Sequence, residues 1–284
     1  MHSLPHSTTA PDRRLFIASA LGTAAAATAS GCATAWPAPP RAPTFVLVHG
    51  AWCGGWCWSR VRPLLEGAGA RVFTPTLTGL GERQHLREPV PGLQTHIQDV
   101  VNLIETEELQ DVVLVGHSFA GMVITPAADR LKARLRRLVY LDAAVPAHGD
   151  DFATHVPGTD AAVAQRRRAA YRALAPDGAW MPPPPPEAFG VTRQADVEWL
   201  RRRVSPHPLR SWLEPVALPN GGHAGLPKTY VLATKPLTTV MGYPVHGEIA
   251  RRGAEWTYRE IATGHSMMVT APERTAELLL EAAA

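Results

Sequence analysis

The chain has 284 residues, 45% of them hydrophobic and 19% charged, which fits a globular protein and excludes a disordered or fibrous one. A formal charge of +3 gives no electrostatic footprint for nucleic acid. The arginine runs at Arg166–Arg168 and Arg201–Arg203 lie among helix formers and read as solvated helix faces.

Residues 1–43 precede the fold. Arg13-Arg14 followed by an apolar, Ala-rich run from Ala18 to Ala29 reads as an export signal of the twin-arginine type, too short to span a membrane. Two processing routes compete. Cleavage after Ala33-Thr34-Ala35 releases a free protein beginning near Trp36, whereas Ser30-Gly31-Cys32 resembles a lipoprotein box that places a lipid on Cys32. Ala29 stands where such a box usually has leucine, which favours the free form. The expected location is therefore periplasmic or extracellular, with membrane attachment only through Cys32. Pro37, Pro39, Pro40 and Pro43 form a stiff tether. Cys53 and Cys57 are too close in sequence for easy disulfide geometry and read as free, packed thiols.

From residue 44 to 284 short apolar runs alternate with amphipathic stretches, the signature of an α/β fold with a mostly parallel sheet flanked by helices. Strands are predicted at Phe45–Val48, Arg71–Thr74, Val112–Val115, Leu138–Leu141, Thr229–Leu232 and Trp256–Ile261. Their near-continuous apolar character fits burial on both faces. Helices are predicted at Trp58–Gly67, Thr95–Leu109, from Ser118 to about Leu131, and Ala271–Ala284. Pro126 is expected to kink the third, and Pro272 to sit harmlessly in the first turn of the last. The alternation stops over about 146–227, read as a helical cap inserted over the C-terminal ends of the strands; a peripheral helical layer is the competing reading.

The strongest chemical signal is Val113-Leu114-Val115-Gly116-His117-Ser118-Phe119-Ala120-Gly121. A buried strand ends in a tight turn that carries a serine and enters a helix, which exposes the hydroxyl at the edge of the sheet. Ala120 replaces the second glycine of G-x-S-x-G, and Gly121 follows it. Ser118 is the candidate nucleophile. His49-Gly50-Ala51-Trp52, directly after the first strand, is placed to supply one oxyanion donor from the Ala51 amide, with Phe119 supplying the second. His265 alone among the 12 histidines follows the last strand and is the candidate base. The acid is Asp142, which ends its strand, or alternatively Glu248, since residues 233–240 contain no carboxylate.

Thr44–Arg87 with His49-Gly50-Ala51-Trp52, Gly54-Gly55-Trp56 and Thr76-Leu77-Thr78-Gly79-Leu80-Gly81-Glu82-Arg83 resembles the α/β-hydrolase branch of plant methylesterases, hydroxynitrile lyases and bacterial pyrethroid-hydrolysing carboxylesterases. Gly116-His117-Ser118, Tyr140-Leu141-Asp142-Ala143 and Gly264-His265 extend the likeness over nearly the whole mature chain. The resemblance implies the α/β-hydrolase fold, a Ser/acid/His triad and a helical cap. The lyases of that branch carry a lysine after the catalytic histidine; Ser266 stands there in this chain, which favours ester hydrolysis over cyanohydrin cleavage.

The expected reaction is hydrolysis of apolar or aromatic carboxylic esters through an acyl-enzyme, with no cofactor and no metal. The substrate pocket is expected to draw on His49, Gly50, Trp52, Leu86, His117 and Met267, with Phe119, His85 and the tryptophans of the insertion nearby. The same apolar residues would serve equally as core. A ligand-binding relative with little turnover, and an amide or lactone hydrolase, are the alternative functions. The partner in every case is a small molecule; the sequence does not fix the oligomeric state.

Overall fold

The computed structural model describes residues 42–236 and 241–284. The expected export segment, with Arg13, Arg14, Cys32 and the Ala35 cleavage point, lies outside the described residues.

In chain order the elements are β1 (Thr44–Val48), α1 (Arg62–Gly67), β2 (Arg71–Phe73), α2 (Leu93–Thr106), β3 (Val112–His117), α3 (Gly121–Leu131) and β4 (Leu135–Leu141). Then come α4 (Ala161–Ala173), β5 (Trp180–Met181), α5 (Gln194–Arg201), β6 (His207–Pro208), α6 (Arg210–Leu213), β7 (Lys228–Ala233), α7 (Tyr243–Arg252), β8 (Trp256–Ile261), α8 (Met267–Thr270) and α9 (Pro272–Ala283). Six strands form one parallel sheet in the order β2-β1-β3-β4-β7-β8.

Strand periodicity sorts the core into two layers. Phe45, Leu47, Val113, Val115, Val139 and Leu141 face α1 and α9, packing with Leu65, Leu278 and Leu279. Val46, Val48, Leu114, Leu138 and Tyr140 face α2 and α3, packing with Ile97, Val100, Ile104, Val123 and Ile124. Both faces are covered, which is why these strands lack the polar alternation of a half-exposed sheet. Helix α3 continues through Pro126, and Thr125 returns its hydroxyl proton to the Gly121 carbonyl.

The order reverses between β1 and β3: the chain runs outward to β2, then crosses back to the other side of β1. That switch point opens a crevice at the C-terminal ends of the strands. The loops after β1, β3, β4 and β8 all emerge on this edge. Between β4 and β7 lies the insertion, whose β5 and β6 form a small antiparallel pair. Trp52 fastens it to the loop after β1. The indole Nε1–H donates to the Met181 carbonyl (3.0 Å), and the Trp52 carbonyl accepts from the Ser205 amide (2.9 Å).

Candidate active site

Ser118 occupies the turn between β3 and α3 with φ of +60°, a left-handed conformation that costs a non-glycine residue and persists only where the surroundings impose it. The surroundings do impose it. At Gly121 a β-carbon would collide with the carbonyl of Ala144, so the glycine demanded by close approach sits one position later than in G-x-S-x-G. Gly50 is the second tight contact: a β-carbon there would lie 2.8 Å from Cβ of Ser118. The loop after β1 is thereby pressed against the serine.

His265 and Asp142 meet directly. The imidazole Nδ1–H donates to Asp142 Oδ2 at 2.6 Å, and both side chains are buried. Asp142 follows β4 with φ of +43°, and its other carboxylate oxygen accepts from the Ala233 amide at 3.4 Å. Because Nδ1 is engaged by the carboxylate, Nε2 is the nitrogen available for proton transfer. Glu248 is not brought to this site; it pairs with Arg251 and Arg252 along α7.

Ser118 and His265 line one cleft with Gly50, Ala51, Trp52, Cys53, His117, Phe189 and Ser266. The Ser118 hydroxyl and the phenol of Tyr243 are hydrogen-bonded at 3.1 Å, and the Tyr243 ring stacks on the His265 imidazole, 5.2 Å between centroids and 6° from parallel. The cleft leaves about 20 Å³ of free space, roughly the room one water needs. Phe189 is the one cleft residue from the insertion, and its carbonyl accepts the Ser266 amide at 3.3 Å.

Of the residues expected on the pocket wall, Gly50, Trp52 and His117 lie there, and three do not. His49 is fully buried behind the loop, where Nδ1–H donates to the Gly50 carbonyl (2.8 Å) and Nε2 accepts from the Leu77 amide (3.0 Å). Leu86 is exposed at the end of the short 3-10 turn Gly81–Leu86, as is His85. Met267 begins α8 and points into the core layer beneath α9. The insertion's tryptophans also pack elsewhere: Trp212 against Phe152 and Tyr171, Trp199 edge-on to Trp56, and Trp180 beneath the Arg87 guanidinium. The Phe119 ring belongs to the same core. Cys53 and Cys57 are free thiols.

The Trp52 amide donates to His207 Nδ1 at 3.4 Å, and Ala51 beside it lines the cleft. His207 Nε2–H in turn donates to Ser211 Oγ. His117 donates from Nε2 to the His265 carbonyl at 2.9 Å, fixing the loop that carries the base. Burial first, and the neighbouring His265 second, holds His117 well below the ordinary histidine range, so the ring stays neutral.

Tyr243, Phe189 and Cys53 were not singled out as site residues by the sequence patterns. Tyr243 carried one usable signal: it follows β7, on the strand edge where ligands gather.

Comparison with known proteins agrees with this architecture. Residues 45–278 match the model of the "Alpha/beta hydrolase family". A carbendazim-hydrolysing esterase of Nocardioides sp. is 42% identical over 238 residues, covering 83% of this chain and 97% of that protein. The alpha-hydroxynitrile lyase of Arabidopsis thaliana is 40% identical over 117 residues, covering 40% of this chain and 42% of that protein. Among solved structures, an extracellular alpha/beta-hydrolase from a Paenibacillus species superposes with a TM-score of 0.72 at 25% identity, covering 84% of this chain and 98% of that one. The chain belongs to the alpha/beta hydrolase family, as an esterase-like member.

Proposed function

We propose that the protein is a serine carboxylesterase for apolar or aromatic esters. One observation carries the reading: Ser118, held at positive φ, shares a cleft with a histidine whose Nδ1 is bonded to a buried aspartate. A buried carboxylate on Nδ1 fixes the tautomer that leaves Nε2 bare, and a bare Nε2 beside a serine is a general base.

In the proposed reaction, Ser118 Oγ gives its proton to Nε2 of His265 as it attacks the ester carbonyl. The amides of Ala51 and Phe119 face the developing oxyanion, each contributing about 3 kcal/mol of transition-state stabilisation. His265 then protonates the departing alkoxide. Water, deprotonated by the same nitrogen, hydrolyses the acyl-enzyme and restores Ser118. The Trp52 and Phe189 rings, 5.8 Å apart between centroids at the mouth, supply apolar walls. The proposal includes export, on the strength of Arg13-Arg14 and the apolar run behind it. The mass of the exported chain separates cleavage after Ala35 from lipidation at Cys32.

The test is a panel of p-nitrophenyl and aryl esters graded by acyl and alcohol size. Turnover that rises with apolar or aromatic character up to the limit of the cleft supports the reading. No turnover of any member overturns it in favour of a binding protein.

A further inference from the structure

Tyr243 is not part of the triad, yet its hydroxyl is the group hydrogen-bonded to Ser118 Oγ, at 3.1 Å. The residue is fully buried, its ring is stacked on His265, and its carbonyl shares the Tyr230 hydroxyl (3.1 Å) with the Ala143 carbonyl (3.0 Å). A phenol so placed has a proton that must go to an acceptor, because a buried donor left unmade is costly. Ser118 Oγ is its hydrogen-bond partner among the described residues. Burial pushes the phenol far above the ordinary tyrosine range, with the bond to Ser118 pulling more weakly the other way, so it remains a neutral donor at every working pH.

We propose that Tyr243 is a catalytic residue, whose O–H holds the electron pair on Ser118 Oγ when that oxygen leaves the acyl-enzyme. The proposal rests on Ser118 being the nucleophile. During attack, Oγ loses electron density to the new C–O bond, and a donor on it gives little help. During deacylation the order reverses. Water adds to the acyl carbon and gives its proton to His265. The tetrahedral intermediate then collapses, the C–Oγ bond breaks, and its electron pair returns to Oγ. Oγ finally takes the proton back from His265, while the Tyr243 O–H bond stays intact throughout. A hydrogen bond that strengthens as charge gathers on Oγ therefore favours the second half of the cycle over the first.

Tyr243→Phe keeps the ring on His265 and removes only the donor. With p-nitrophenyl butyrate, the variant is expected to release a burst of one p-nitrophenol per titrated site, then turn over about tenfold more slowly, the effect of one neutral hydrogen bond. KM should fall with kcat, leaving kcat/KM within about threefold, because acylation is spared. Rates expressed per titrated site keep a partly unfolded preparation from mimicking the result. Tyr230→Phe, which loosens Tyr243 but leaves its phenol, should show no burst. A kcat equal to wild type, or kcat/KM falling as far as kcat at constant KM, overturns the inference. Ser118→Ala run alongside separates the two levels: turnover surviving in it removes the nucleophile itself, whereas a dead Ser118→Ala beside an unaltered Tyr243→Phe removes only the role of Tyr243.

Discussion

Asp142→Asn is expected to lower kcat for ester hydrolysis by about 10⁴, while Glu248→Gln leaves it within about twofold of wild type. Asp142 accepts the Nδ1 proton of His265 at 2.6 Å in a site closed to solvent. An asparagine of nearly the same shape can turn its amide N–H toward Nδ1, which moves the ring proton to Nε2. The nitrogen that must accept from Ser118 is then already protonated, and the base is lost without any change in packing. Glu248 has no such route, since its carboxylate is committed to arginines on an exposed helix face. Steady-state kinetics of both variants, with thermal unfolding to confirm an intact fold, checks the prediction. An Asp142→Asn enzyme within threefold of wild type would remove Asp142 from the mechanism.

Acid should unfold the protein well above the carboxylate range, through histidines buried as neutral rings. His49 and His96 are fully buried, and burial is the main cause that lowers each from 6.5 to about 4. Hydrogen bonding explains why neither accepts a second proton easily. His49 Nε2 already receives the Leu77 N–H, and His96 Nδ1 has no buried partner to receive a new proton once Nε2–H is spent on the Thr78 carbonyl. The unfolded chain takes up these protons near pH 6.5 and the folded chain only near 4, so the stability present above pH 6.5 is lost as the pH falls through that window. By about pH 5 the two residues together withdraw roughly 4 kcal/mol, on the order of 2 kcal/mol each. Burial likewise drives His207, which accepts the Trp52 N–H, in the same direction. Denaturant unfolding at about pH 7 and pH 5 measures the loss, and His96→Gln should shrink it; equal stability at the two pH values contradicts the account.

The central strands were legible because they are buried on both faces and bounded by turn residues: Val112–Val115 and Leu138–Leu141 can hardly be anything else. The serine turn was legible for a related reason, since a buried strand followed by Gly116-His117-Ser118 and small residues leaves few conformations. Asp142 could be proposed from its place at the end of β4. Other features were hidden by the physics that makes them. Strands β5 and β6 are two residues each, below any periodicity, and their pairing depends on the fold around them. Helix α7 carries Pro244 in its first turn and Gly247 in its middle, which masks its amphipathic pattern. Met267 and Ser266 are adjacent, and only the start of α8 decides which one faces the cleft and which the core. His49 sits in the loop that contacts Ser118, yet its two ring hydrogen bonds draw it inward. The tie between Tyr243 and Ser118 joins residues 125 positions apart and leaves no local trace.

The most direct measurement is peptide mapping of the enzyme quenched during turnover of p-nitrophenyl butyrate. The account predicts a butyryl group on the peptide containing Ser118, absent from Ser118→Ala. Acylation at another residue, or hydrolysis with no covalent species on either protein, would contradict it.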